Sequence, residues 1–163
     1  MSTLIPNENC WIGFSATMPA DDVTLVPTAA EIAAATELTD FVISLTASSQ
    51  GNTVPTPKLK SLFEPSIPGT STAQFTAEMY RDSVLADDVA WNTLPRNTEG
   101  VFYIARFGGT GTDLLPIADD VVEVWPVRVS SRAPSAMTSN TAQTFTLTCS
   151  VPQEPNEAAT VAA

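Results

Sequence analysis

Polar and apolar residues alternate along much of the chain, and the alternation is strictest between Thr72 and Arg81. Phe75, Ala77 and Met79 fall on one side of that stretch, so the period of two predicts a strand with one buried face. Other stretches with a strand pattern are residues 11–14, 23–26, 40–48, 54–64, 100–105, 121–130 and 140–151. The pattern therefore predicts a mainly β domain of about six to eight strands.

Two stretches interrupt this pattern with helical spacing. An apolar stripe between Asp82 and Pro95 predicts one main helix, which must bury that stripe on the sheet. Thr28 and Glu31 have the spacing of a capping box, and the alanines around them favour a short helix from Ala29 to Ala35. We therefore expect a β domain with one main helix packed against it.

Three regions differ in composition, and we expect residues 28–151 to form the β domain. Prolines exclude a long helix or strand in residues 1–27, which we predict to form an extended N-terminal arm. Its apolar residues Trp11, Ile12 and Phe14 would dock either on this domain or on a neighbouring subunit, and the sequence leaves both open. Residues 152–163 are predicted to be a flexible tail.

A long projecting hairpin is predicted between Ser48 and Gly69. Loop-forming residues predict a turn at Ser48–Asn52 and a second loop at Pro65–Gly69. Between them, residues 54–64 alternate but contain prolines, which confine such a strand to a sheet edge. An open edge has to pair with something, which fits a subunit that assembles with others.

The 163 residues carry a net charge of −11, from 18 acidic and 7 basic residues. An acidic protein repels duplex DNA and anionic membranes, so conventional nucleic-acid binding is not expected. No apolar run is long enough for a membrane helix, and the N-terminus lacks the basic and apolar regions of a signal peptide. We expect a protein that is made in a cytoplasm and does not insert into a membrane.

The chain contains no histidine, which removes Ser-His-Asp and Cys-His catalysis and most zinc sites. The pairs Asp21-Asp22, Asp87-Asp88 and Asp119-Asp120 lack ligand spacing and are predicted to be solvated. Residues 108–113 are glycine-rich but lack the ending of a phosphate loop, which favours a hairpin connection. Cys149 alternates with polar residues on an apolar side and is predicted to be buried. We expect no catalytic residue, no metal site and no cofactor.

Several predicted strands carry a uniformly polar face. In a monomer such faces are merely solvated, but they would equally suit the wall of a water-filled channel. The positions concerned are Ser44, Thr46, Gln74, Thr76, Glu78, Thr144, Thr146 and Thr148.

The order and spacing of these segments resemble the major tail proteins of long, non-contractile bacteriophage tails, the tail tube subunits of siphophages. The resemblance covers roughly residues 27–151 and is a pattern of order and spacing without a catalytic signature. It is carried by PTAAEI before a strand, Pro68-Gly69, the strand ending in Tyr80-Arg81-Asp82, the segment Ala90-Trp91-Asn92-Thr93-Leu94, Gly100 opening a strand, and Asp119-Asp120-Val121-Val122-Glu123-Val124-Trp125-Pro126-Val127.

The resemblance implies a β-sandwich or partial barrel flanked by a helix. It further implies that six subunits form a ring, that rings stack into a tube in the virion tail, and that the six sheets join into one inner β-barrel. The tube would enclose a tape-measure protein, meet tail terminator and distal tail proteins, and let DNA pass without specific binding. Assembly would take place in the host cytoplasm.

In such a tube the polar positions given above become candidate lumen-facing residues. The projecting hairpin and the terminal arms would bridge between rings, and Lys58 and Lys60 would meet acids of a neighbour. Deleting Gln50–Pro65 should then abolish tubes and leave a folded monomer. The candidate contact residues of the hairpin are Gln50, Gly51, Asn52, Lys58, Lys60 and Glu64.

Three other functions stay open at this point. A capsid-decorating or tail-completion protein would form trimers or single rings instead of open-ended stacks. A carbohydrate- or cell-binding β-sandwich could stack sugars on Trp11, Trp91 or Trp125, although core or interface packing suits these positions better. A hydrolase with a carboxylate pair needs no histidine and is the remaining enzyme class.

Overall fold

The computed structural model describes residues 9–57 and 66–163. Its strands are β1 (Trp11–Ser15), β2 (Thr36–Glu37), β3 (Val42–Pro55), β4 (Ser66–Tyr80), β5 (Glu99–Ala105), β6 (Val121–Pro134), β7 (Thr144–Ser150) and β8 (Asn156–Thr160). Its α-helices are α1 (Ala29–Ala33) and α2 (Val89–Thr93), and two 3-10 helices span Thr39–Phe41 and Thr112–Leu114. The predicted mainly β fold is confirmed.

The strands form one antiparallel sheet in the order β2-β1-β5-β6-β7-β4-β3, and β8 pairs with β6 beside this path. β6 connects the two halves of the sheet, because its residues up to Arg128 pair with β5 and its residues from Arg128 onward pair with β7. A bulge between Val129 and Ser131 lies next to this change of partner. Since a bulge bends its strand and increases the local twist, it allows the sheet to curl.

The curled sheet closes over a core to which both halves contribute. Phe102 of β5 stacks on Phe75 of β4 with 4.6 Å between ring centroids, and Phe14 of β1 lies 5.0 Å from Phe102. All three rings are buried. Aromatic pairs at such distances add about 0.5–1.5 kcal/mol beyond the area they bury. This packing turns the opposite face of β4 away from the core.

A second core lies on the other face of β1 and β5. It contains Trp11 and Tyr103 together with Ile32 of α1 and Ala159 of β8. β5 is consequently buried on both faces, which explains why residues 101–105 are apolar without alternation. The Tyr103 hydroxyl has no hydrogen-bond partner in the part of the chain that the structure describes, and its burial raises the pKa of the phenol.

The two ends of the described chain join this second core. β1 pairs with β5 along its whole length, so the apolar residues of the predicted arm dock on their own domain. The predicted flexible tail is wrong from Asn156 onward, because β8 pairs with β6 and both Ala159 and Val161 are buried. The alternation of polar and apolar residues here is too short to predict a strand. β8 forms because these residues pair with β6. The strand predicted at residues 23–26 is reduced to one bridge between Asp21 and Val26.

The two helices differ in how well the sequence predicts them. Thr28 caps α1 through the predicted capping box with Glu31. α2 is much shorter than the predicted main helix, because the Asp82 carboxylate accepts a hydrogen bond from the Val84 N–H at 2.8 Å and favours a turn there. Leu85, which would belong to the buried stripe of a longer helix, is 72% exposed.

The β3–β4 hairpin is longer and more regular than predicted. The turn expected at Ser48–Asn52 is part of β3, and the loop expected at Pro65–Gly69 is strand from Ser66 onward. Gln50 pairs with Thr72 and Gly51 with Ser71, so cross-strand pairing overrides the loop preference of these residues. Residues 58–65, which include part of the strand predicted at 54–64, lie outside the described residues.

Candidate assembly surface

The eight candidate lumen-facing residues share one face of β3, β4 and β7. Residues directly opposite one another in an antiparallel sheet point to the same side. Two such rows cross the sheet and end on β6, namely Ser44–Glu78–Thr146–Ala133 and Thr46–Thr76–Thr148–Ser131. Gln74 and Thr144 lie two residues further along their strands and therefore belong to the same face. The structure thus places these eight positions on one face, while their orientation in an assembly stays a prediction.

This polar face is hydroxyl-rich and carries little charge. Glu78 is the single carboxylate in the two rows, and the Thr144 hydroxyl donates to it at 3.3 Å. At one end of the face Arg128 lies opposite Ser150 and 3.5 Å from Glu99. Most of the acidic residues within 9–57 and 66–163 lie in loops or on other strands. The negative charge of the described residues is therefore concentrated away from this face.

The opposite face of the same strands forms the main core. Phe75, Ala77 and Met79 are buried there, as the alternation predicts. Cys149 of β7 is buried among them, and its burial raises the pKa of the thiol to about 12. The thiol therefore stays protonated and unreactive at neutral pH, which confirms the prediction of a small buried side chain. Both cysteines lie in the described part of the chain, and they form no disulfide.

The four strands that carry the polar face end in two open edges. Among the described strands, β3 pairs with β4 and with no other. Residues Ser131–Pro134 of β6 pair with β7 alone, since β5 pairs with β6 only as far as Arg128. The unpaired backbone groups of such edges are templates for pairing with another chain. The two edges lie on opposite sides of the surface, so the β3 edge of one copy can meet the β6 edge of the next.

A cluster of charged and aromatic side chains fixes α2 beside the β6 edge. The Trp91 ring lies between the guanidinium groups of Arg81 and Arg132, at 3.8 and 4.0 Å from the ring centroid. Arg132 also donates to the Trp91 carbonyl at 2.7 Å, and Phe145 packs edge-on against the ring. Burial and the nearby Arg81 lower the pKa of the Arg132 guanidinium. Trp91 is thus occupied by packing and has no free face for a sugar.

Asp88 departs from the expectation that the aspartate pairs are solvated. Its side chain is completely buried, and one carboxylate oxygen accepts a hydrogen bond from Arg81 Nε at 2.6 Å. The other oxygen has no partner among the described residues. Such a pair keeps its place only while both partners remain, because an unpaired buried charge is costly. Asp88 therefore ties the start of α2 to the end of β4.

The glycine-rich segment at residues 108–113 is a connection held by one carboxylate. Asp120 accepts hydrogen bonds from the backbone N–H groups of Thr110 and Ile117 at 2.8 and 2.9 Å. Burial raises the pKa of this carboxyl, but these hydrogen bonds outweigh it and the pKa is lowered. Only a three-residue 3-10 helix follows, so the segment lacks the helix of a phosphate loop.

The β3–β4 hairpin extends past the rest of the sheet. Cys149 is the last residue of β7 that pairs with β4, so among the described strands residues 50–55 and 66–72 have only each other as partners. Val54 and Ile67 on this extension are 49% and 53% exposed. The candidate contact residues Gln50, Gly51 and Asn52 lie here on β3, whereas Lys58, Lys60 and Glu64 lie outside the described residues.

A groove of about 490 Å³ lies beside the open edge of β3. Val42–Leu45 form one wall, and Cys10, Ile12, Ile104 and Phe107 contribute to the other. Ile43 is 41% exposed and Phe107 is 75% exposed. The sequence pattern does not reveal this groove, because its walls come from three segments that meet only when the sheet curls.

Arg106 fixes one end of this groove. It forms an ion pair with Glu123 of β6 and donates to the Ala47 carbonyl on β3 at 3.4 Å. The hydrogen bond with Glu123 is the main reason why the pKa of Arg106 is raised. Among the described residues that line the groove, Arg106 is the one charged residue, and it is already paired within the same copy.

No α-helix among the described residues is long and apolar enough to cross a membrane. Residues 9–57 and 66–163 contain no group of three or more His, Cys, Asp or Glu side chains that could hold a metal ion. Trp11 and Trp125 are buried in the two cores and present no surface to a sugar.

Comparison with known proteins finds a matching protein family for this chain. A family model described as phage tail tube protein matches residues 5–163. No curated protein matches the chain significantly in sequence.

Solved structures share the fold at low sequence identity. A chain from the virion of a native gene transfer agent particle is 12% identical, with a TM-score of 0.56 over 93% of this chain and 96% of that chain. A chain from the C6-symmetric tail of an empty gene transfer agent particle is 14% identical, with a TM-score of 0.52 over 76% and 85%. A chain from the six-fold symmetrised baseplate of the anti-feeding prophage is 10% identical, with a TM-score of 0.55 over 96% of both chains. At these identities the likeness establishes the fold alone.

Proposed function

Because the chain belongs to the phage tail tube protein family, we propose that six copies close into a ring and that the rings stack into the tube of a bacteriophage tail. Membership of this family makes the chain a structural protein of the virion tail and not an enzyme. The number six is supported by the C6 symmetry of one solved tail that shares the fold.

One observation carries this proposal, namely a polar surface of four strands that ends in two open edges. Pairing the β3 edge of one copy with the β6 edge of the next satisfies both edges and closes a ring. Four strands from each of six copies give a barrel of ~24 strands, which at about 4.8 Å per strand and a tilt of about 40° is about 48 Å wide. Side chains narrow this lumen, and a DNA duplex still passes.

The chemistry of the polar face suits the passage of DNA. Threonine and serine hydroxyls dominate it, and its central rows carry Glu78 as the only charge. Lysine and arginine are the residues that hold phosphate groups, and they are missing from these rows. A duplex therefore meets neither strong attraction nor a dense negative charge while the genome moves through the tube into the host.

The exposed hairpin bridges adjacent rings. Its residues 50–55 and 66–72 extend beyond the sheet and present Val54 and Ile67 to solvent, which gives a ring an apolar projection. Before ejection the tube encloses a tape-measure protein, and its ends meet the terminator and distal tail proteins. The tail is of the long, non-contractile type and is assembled in the host cytoplasm.

Self-association of the purified full-length chain tests this proposal. Sedimentation velocity at rising protein concentration should show growing species, and negative-stain microscopy of the same samples should show hollow tubes or stacked rings. A discrete trimer that stays unchanged at every concentration would contradict the proposal and favour capsid decoration.

A further inference from the structure

The groove beside β3 is complementary to the end of β6, and we propose that it binds Met137 of the neighbouring copy in the ring. This inference rests on the proposed ring and names a contact within it. Met137 follows β6 by three residues and is 87% exposed. An exposed apolar side chain on one part of a chain and an apolar groove on another produce a head-to-tail contact between copies.

The walls of the groove fit a methionine side chain. Ile43 and Phe107 line it and are partly exposed in the single copy, at 41% and 75%. Arg106 is paired with Glu123, so the described lining of the groove offers no unpaired charge to an occupant. Methionine is flexible and polarizable, which suits a groove of irregular shape that contains an aromatic ring.

The geometry of a closed barrel determines the register between β6 and the neighbouring β3. Strands tilted by about 35–45°, spaced by about 4.8 Å and rising about 3.3 Å per residue shift the register by about four to six residues across four strands. The shift must be even, because an odd shift would turn the core side chains of one copy toward the polar face of the next. Without any shift, the row that joins Ser44 and Ala133 would place Ala133 opposite Ser44 of the neighbour. A shift of four or six residues along β3 toward the hairpin places Ala133 opposite Ser48 or Gln50 instead.

The shift has to run toward the hairpin. In the other direction the β6 edge would meet Thr39–Phe41, a 3-10 helix that offers no strand to pair with. Toward the hairpin, the five residues Ser130–Pro134 face β3 along their whole length. β6 ends at Pro134, so the strand alternation does not continue to Met137. Three residues further on, Met137 comes level with about Ser44 or Thr46 of the neighbour and can turn from the polar face toward the wall that Val42–Leu45 form.

Cys10 lines the same groove and allows a direct test in the full-length chain. The test variant carries Met137→Cys, and a short bis-maleimide is added to the assembled protein. The matched control carries Ala142→Cys, which is exposed in the same loop between β6 and β7. A second control combines Met137→Cys with Cys10→Ser. Microscopy of every sample before cross-linking records whether tubes are present.

We expect Met137→Cys to convert the single band of a denaturing gel into a ladder that reaches six copies, while both controls keep most of the protein in the single band. Tubes that form normally but cross-link no better with Met137→Cys than with Ala142→Cys would overturn the Met137 contact and leave the tube proposal intact. Absence of rings and tubes in the unmodified chain would overturn both.

Discussion

Arg81 Nε lies 2.6 Å from an oxygen of Asp88, a carboxylate that is completely buried. Arg81 directly follows β4 and Asp88 directly precedes α2, so the pair closes the loop that joins them. The same guanidinium covers one face of the Trp91 ring at 3.8 Å. One arginine thus holds a buried charge and an aromatic ring in place beside the edge that we assign to ring closure.

Replacing Arg81 by methionine should lower the free energy of unfolding by about 3–5 kcal/mol, because it leaves the Asp88 carboxylate buried without its partner. The double variant Arg81→Met with Asp88→Asn should lose less, since no unpaired charge remains. Urea unfolding of the monomer measures both values.

The matched control for this pair is Arg96→Met, at an exposed arginine that has no ion pair among the described residues. It should change the free energy of unfolding by no more than about 0.5 kcal/mol. If Arg81→Met proved no more destabilising than Arg96→Met, the ion pair would not be holding α2.

The last strand offers a comparison between neighbouring alanines. Ala159 of β8 is buried in the second core, whereas Ala158 is exposed. Ala159→Asp should destabilise the monomer by more than about 3 kcal/mol, because it buries a charge without a partner. Ala158→Asp should leave the thermal midpoint nearly unchanged. Equal behaviour of the two variants would mean that residues 156–163 are a loose tail after all.

Stability should depend on pH through hydrogen-bonded carboxylates, of which Glu31 and Asp120 are partly buried. Hydrogen bonds lower the pKa of Glu31 and Asp120 in spite of burial, from ordinary values of 4.5 and 3.8. A carboxyl whose folded pKa lies below its unfolded pKa stabilises the fold above the unfolded value, and this contribution is lost as the pH falls through the folded value. The free energy of unfolding should therefore be constant near neutrality and fall below about pH 4.5.

Asp120→Asn should flatten this acid dependence, by at most about 1 kcal/mol because solvent screens the group. Asp119→Asn is the control at the neighbouring, exposed aspartate. Urea unfolding from pH 7 down to pH 3 compares the two variants. A loss of stability with acid that is as steep for Asp120→Asn as for Asp119→Asn would contradict the assignment.

The hairpin should be needed for stacking and dispensable for folding. Deleting Gln50–Pro65 alone would leave residues 66–72 without their pairing partners. A cleaner variant replaces Gln50–Thr72 by an Asn-Gly turn. The turn then joins Ser49 and Ala73, which pair with each other. Circular dichroism should show a folded protein, and microscopy should show no tubes. The control Thr53→Ser keeps the hairpin and should assemble normally. Tubes from the shortened variant would remove the hairpin from the ring-to-ring contact.

The sequence predicts those parts of the fold in which a local pattern and the tertiary packing agree. Phe75 and Cys149 alternate with polar residues and are buried as expected, and Thr28 caps its helix by a local motif. The same alternation placed Thr76 and Thr148 on one polar face. In each case the decisive interaction lies within a few residues along the chain or follows from a period of two.

Features that depend on tertiary partners could not be predicted from the local sequence pattern. Asp88 resembles a surface aspartate in sequence, and only the folded chain places the Arg81 guanidinium against its carboxylate. The β8 strand exists because β6 offers it an edge, and Gln50 remains in a strand because Thr72 lies opposite. The groove that holds Phe107 forms only when the sheet curls. None of these partners is visible from the residues next to them in sequence.

The most direct test of the central claim is the accessibility of the polar face in assembled tubes. Thr148→Cys, in a chain that also carries Cys10→Ser, places a thiol on that face, and Ala33→Cys in the same background places one on the exposed side of α1. We predict that a small maleimide labels both thiols in tubes, whereas a maleimide attached to a large polymer labels the thiol at position 33 alone. In monomers both reagents should label both positions. Equal labelling of position 148 and position 33 by the large reagent in intact tubes would contradict a lumen lined by this face.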